Sequence, residues 1–132
     1  MDNLQKSEKV IAVILDHLLK LGLQESDLDE NTLQLDDNLK PFLTQCLKWL
    51  ISEGVVRVEN YHDAKDGVFF AYNPSITSYG CQILGTSLEL NGGTQKLGNA
   101  LREVASTEKS YSQVGDFFGG LLGGFTKSIG SG

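Results

Sequence analysis

Within ten residues, Leu47-Lys48-Trp49-Leu50-Ile51-Ser52-Glu53-Gly54-Val55-Val56, the chain changes character. Leu47, Leu50 and Ile51 repeat at helical spacing. Gly54 then supplies the backbone freedom that helix ends favour, and Val55-Val56-Arg57-Val58-Glu59 follows with the β-branched alternation of a strand. A helix running through one glycine into a strand, with no connector between, is the local signature from which the rest is read.

Upstream, the apolar stripe extends through Leu39, Phe42, Leu43 and Cys46, giving a helix over about 38–53 with Trp49 at its flank. Asp36 or Asp37 is the expected N-cap, and Pro41 falls in the first turn, where a missing N–H costs little. Downstream, a polar turn over 60–67 closing on Asp66-Gly67 leads to a second strand, Val68-Phe69-Phe70-Ala71-Tyr72, which predicts a β-hairpin with a projecting tip. Pro74 stops that strand because it cannot donate to a ladder. A short helix is expected over 75–84, capped by Ser75 or Thr77, with Gly80 allowing a close approach to a neighbour.

The N-terminal end reads as an amphipathic helix over about 4–21. Val10, Ile11, Ile14, Leu18 and Leu21 form its stripe, Gly22 stands past its end, and Asp16 and His17 lie on the polar side. Residues 25–37 carry six acids and no base. Asp27-x-Asp29-x-Asn31 imitates the start of a calcium loop, but Thr32 stands where the loop needs Gly and Asn38 where it needs Glu. An acidic connector holding a short helix, pinned to the core by Leu28, Leu33 and Leu35, is the better reading.

This order of elements resembles the winged-helix superfamily of helix-turn-helix domains. The stretch 47–56 is similar to the passage from a recognition helix into the first wing strand. Ile76-Thr77-Ser78-Tyr79-Gly80-Cys81-Gln82-Ile83-Leu84 is similar to the helix after the second wing strand in many bacterial members. The resemblance covers roughly residues 4–88. It implies an α+β, mostly helical winged-helix domain over 1–88 with a two-stranded wing hairpin, followed by a helical extension over 89–132. It also implies a DNA-binding mode in which the recognition helix enters the major groove and the wing meets a phosphate backbone. Lys40, Lys48, Arg57 and Lys65 would then contact phosphate, with Thr44 and Gln45 reading bases.

Charge argues against that mode. Among 132 residues, eleven Lys and Arg stand against seventeen Asp and Glu, a formal net charge of −6. Residues 1–60, which would dock, hold six bases (Lys6, Lys9, Lys20, Lys40, Lys48, Arg57) against eleven acids. Affinity for DNA comes mainly from cations neutralising phosphates. The wing is balanced as well, with Arg57, His62 and Lys65 facing Glu59, Asp63 and Asp66.

In the extension, Asn91-Gly92-Gly93-Thr94 breaks the chain, and Thr94 is the expected N-cap of a helix over 95–105 with Leu97, Leu101 and Val104 on one face. Beyond it, Val114, Phe117, Phe118, Leu121, Leu122, Phe125 and Ile129 share one helical face. Gly115, Gly119 and Gly123 follow the four-residue spacing that lets a second backbone approach closely. Each Gly in a helix interior costs about 0.8–1 kcal/mol relative to Ala, and five glycines stand in this segment, so such a helix needs a partner surface. Two copies packing isologously would supply one. The segment is too short to span a membrane, and only Lys127 provides the cationic rim of an interfacial helix.

No catalytic constellation stands out. The two histidines lack a zinc-site spacing, and neither Cys46 nor Cys81 lies where a thiolate would be stabilised, so both read as small core residues. Gly92-Gly93 and Gly119-Gly120 lack the Gly-Lys-Ser/Thr ending of a phosphate loop. The expectation is a cytoplasmic, non-catalytic module without metal or cofactor that forms a homodimer or binds a protein partner through residues 114–129. A dimeric DNA-binding regulator is the alternative, and a peripheral membrane adaptor using Phe117, Phe118 and Phe125 comes third.

Overall fold

The computed structural model describes residues 2–63, 69–85, 87–90 and 93–106. It shows an α+β fold of four helices and small antiparallel sheets. Helix α1 (Asn3–Leu21) opens with a capping box in which Asp2 accepts the Gln5 N–H at 2.8 Å and Gln5 Oε1 accepts the Asp2 N–H at 3.0 Å. It ends at Gly22, whose φ of +67° is a conformation that side chains disfavour. Of the expected stripe, Val10, Ile14 and Leu18 are buried, with Leu15 beside them, while Ile11 and Leu21 are half-buried.

The acidic connector holds no helix. It contributes a two-residue strand, β1 (Asp27–Leu28), and then a run of turns over 30–34. The reason lies in Asp29, whose Oδ1 accepts both the Thr32 N–H at 2.8 Å and the Thr32 Oγ1–H at 2.9 Å, a side-chain turn that competes with helix. Leu28, Leu33 and Leu35 are buried, as expected.

The second helix is shorter than its apolar stripe suggests. Asp36 accepts the backbone N–H groups of Leu39 and Lys40 through its carbonyl, at 2.8 and 3.1 Å, rather than capping with its side chain. A 3-10 turn over Lys40–Phe42 follows, with Pro41 in its opening residues, and then α2 (Leu43–Ser52). Gly54, with φ +78°, releases the chain into β2 (Val56–Arg57).

The observed hairpin is displaced from the expected strands. Its first long strand is β3 (Asn60–Asp63), inside the stretch read as a polar turn, and it pairs with β4 (Phe69–Tyr72). Strand β2 instead pairs with β5 (Ser75–Ile76), with Val56 opposite Ile76 and Arg57 opposite Ser75. The register is unbroken from Val56–Ile76 to Asp63–Phe69, so both pairs belong to one long hairpin interrupted in its middle. Pro74, buried and without an N–H, and Asn73 at φ +53° cause the break. The freed Asn73 N–H turns to the Ser26 carbonyl at 2.7 Å, drawing in the connector. Strand β1 completes a three-stranded sheet of order β1-β4-β3.

Helix α3 (Ser78–Leu84) is capped by Thr77, and Gly80 in its first turn is buried. Residues around the Gly-Gly break form a hairpin, β6 (Ser87–Leu90) with β7 (Gly93–Lys96), so Gln95 and Lys96 are strand and Thr94 is no helix cap. Helix α4 starts at Leu97 and runs to Ser106. It lies antiparallel along α1. Lys9 Nζ donates to the carbonyls of Val104 (2.5 Å) and Ala105 (3.1 Å) at the last turn of α4, while Arg102 Nε stands 3.6 Å from Asp16. Leu97, Ala100, Leu101 and Val104 enter the core shared by α1 and α2.

Candidate interaction surface

On α2, Thr44 is half-buried, Gln45 is exposed, and Lys48 carries its ammonium 5.9 Å from the centre of the Tyr61 ring on β3. Lys40 pairs with Asp37 at 3.0 Å, and that hydrogen-bonded carboxylate holds its ammonium above the ordinary lysine range. Arg57 is exposed on β2, its Nε 3.4 Å from Ser75 Oγ across the hairpin. The fold thus brings Lys48 to the hairpin, and engages Lys40 with its own acid. Lys65 lies outside the described residues. So does the whole face Val114, Phe117, Phe118, Leu121, Leu122, Phe125 and Ile129, with Gly115, Gly119 and Gly123.

Two grooves meet at Arg57 and Thr77. The larger, about 520 Å³, lies between the C-terminal end of α1 and the start of α3, with Leu18, Leu19, Gly22 and Leu23 on one wall and Ile76, Thr77, Tyr79 and Cys81 on the other. Leu19 is 38% exposed and Leu23 86% exposed, so this groove has an apolar rim open to solvent. The smaller, about 420 Å³, is floored by Ile51, Val56 and Val58 and edged by Glu59 and Tyr61. Thr77 holds the shared edge in place. Its Oγ1 donates toward the carbonyls of Gly54 (2.5 Å) and Val55 (3.1 Å) and accepts the Gly80 N–H at 3.0 Å.

The cysteines divide. Cys46 is buried, its Sγ 3.6 Å from the Ser7 carbonyl, and burial pushes its thiol up to about 11, so it stays protonated at neutral pH. Cys81 is exposed in the larger groove, against the expectation of a core residue, because the short α3 turns it outward while Gly80, Ile83 and Leu84 face in.

The polar side of α1 also differs from the expectation. Asp16 is buried because α4 covers it, and it pairs with Lys20 at 2.9 Å and with Arg102. His17 is half-buried, and its Nε2 is enclosed with no hydrogen-bond partner. Burial lowers its pKa against the opposing pull of Asp16. Neither role was legible locally, since both depend on helices far away in sequence. Nor does a local signal mark Leu19 and Leu23 as a groove rim, since Leu19 simply continues the apolar face of the first helix.

Asp27 and Asp29 do not form a cation cage; among the described residues no three His, Cys, Asp or Glu side chains gather closely enough to hold a metal. Among the same residues no helix is long and apolar enough to cross a membrane. Comparison with protein-family models, with curated proteins and with solved structures finds no match.

Proposed function

We propose that the chain is a non-catalytic winged-helix interaction module that associates with a second copy, or with a protein partner, through residues 114–129. The observation that carries this reading is the state of the would-be DNA face. Lys40 is engaged by Asp37, and Asp36 and Asp37 stand exposed at the mouth of the same helix. Phosphates approaching there meet carboxylates first, which opposes the counterion release that drives DNA binding. The winged-helix assignment draws on the sheet order β1-β4-β3, with α1 before β1, α2 before the hairpin, and the hairpin leading into α3. A cytoplasmic setting accords with that module.

Association through 114–129 follows from its amphipathic face and glycine spacing. Sedimentation equilibrium of the chain and of Gly119→Val tests it. The branched side chain blocks close backbone approach, so the variant should dissociate at concentrations where the parent is dimeric. Equal dimer in both would remove the glycine contact from the account.

A dimeric DNA-binding regulator is the second reading, favoured by exposed Gln45 standing one helical turn from Lys48. It requires binding that weakens steeply with salt. A salt titration of binding to random duplex and to genomic fragments separates the two readings.

A further inference from the structure

The 520 Å³ groove beside Leu19 and Leu23 has an apolar rim with nothing on it among the described residues, and the chain continues for 26 residues past Ser106. Where that continuation starts is fixed. Helix α4 runs antiparallel to α1, so Ser106 is delivered to the N-terminal half of α1, where Lys9 holds the Ala105 carbonyl. From Lys9 to Leu19 the α1 axis rises about 15 Å at 1.5 Å per residue. The seven residues 107–113 span up to about 23–25 Å when extended. The tether is therefore long enough to cover the axial distance from Lys9 back to the groove of its own chain. A short tether also presents the segment to its own groove at an effective concentration in the mM range, above that of a second copy in dilute solution.

We infer that the groove between the end of α1 and the start of α3 seats the apolar side of this chain's own 114–129 segment. The inference extends the proposed function and rests on it for the amphipathic character of the segment. Phe117, Leu121 and Phe125 lie on the apolar side. On a helix, Gly115, Gly119 and Gly123 stand on the opposite side. With the first side seated on Leu19 and Leu23, the glycine side faces outward, available to the same surface of a second copy. Docking within the chain and dimerisation between chains then use different sides of one helix.

Cys81 lines the groove and is exposed, whereas Cys46 is buried and protonated, so Cys81 is a native reporter. Single substitutions Phe117→Cys, Leu121→Cys and Phe125→Cys in the full chain, oxidised mildly and mapped by non-reducing peptide mass spectrometry, are the test. The expected result is a disulfide within one chain from Cys81 to at least one of the three. Its yield should fall about tenfold in a Leu23→Asp background, the loss expected when one leucine's apolar contact becomes a charge. Leu23 is solvent-exposed, so that change leaves folding intact, as circular dichroism will check. A disulfide only between chains would place a second copy's segment in the groove and overturn the inference. No disulfide from any of the three positions would overturn it too. A chain that is monomeric yet forms the internal disulfide would refute self-association while leaving the seated segment standing.

Discussion

Gly80 on α3 approaches Val55 so closely that a methyl group on its Cα would sit 2.5 Å from the Val55 carbonyl oxygen and 2.7 Å from Ile76 Cγ2. The contact joins the residue just past α2 to the helix that follows the hairpin, and so fixes the angle between them. The obstructing atom is backbone and cannot rotate aside. Gly80→Ala should therefore cost about 1–3 kcal/mol, as overpacking does in a close-packed site. The urea midpoint checks it, and an unchanged midpoint would mean that α3 shifts freely.

Thr77 holds the same junction through its hydroxyl, which caps α3 and reaches the Gly54 and Val55 carbonyls. Thr77→Val keeps the shape and removes these bonds. Loss of a helix cap typically costs about 0.5–2 kcal/mol, and this hydroxyl also bridges two elements, so the upper part of that range is expected in equilibrium unfolding. Thr77→Ser should retain most of the stability.

His17 gives the fold an acid-sensitive point. Its folded pKa lies below its ordinary value of 6.5, so the folded state favours the neutral ring. The stability it contributes is fully present above pH 6.5 and is lost as pH falls through the lower folded value. Urea midpoints at pH 7.5 and 5.0 should show a decline in the parent that is reduced in His17→Asn. An equal decline in both would assign the effect to other groups.

Helix α4 depends on its contact with α1. Leu101 is 1% exposed within the shared core, and Leu101→Ala should cost about 2–5 kcal/mol, the range for emptying a buried leucine site. Arg102→Ala, by contrast, removes one long contact from a largely exposed guanidinium and should cost under about 1 kcal/mol. Thermal unfolding of both variants checks the ranking.

What was legible in the sequence was whatever depends on local periodicity. The stripe from Val10 to Leu18 predicted α1 and its buried face, and Gly54 marked the end of α2. The connector's missing helix traces to a hydroxyl: Thr32 bonds back to Asp29, and the apolar spacing of Leu28, Leu33 and Leu35 does not reveal it. Residues 60–63 are polar on their surface and read as a turn, yet the backbone ladder to β4 holds them as strand. Gln95 and Lys96 went the same way, because pairing with β6 outweighs the helical pattern that begins two residues later. Of the candidate site, the charge imbalance was plain, but the engagement of Lys40 by Asp37 and the groove at Leu19 and Leu23 emerge only from the fold.

The central claim is that residues 114–129 are the association element. Light scattering behind size exclusion, comparing the full chain with one stopped at Ser110, tests it most directly, with circular dichroism confirming that both are folded. The account predicts a dimer for the full chain and a folded monomer for the truncation. Two monomers of equal stability, or a truncation that remains dimeric, would contradict it.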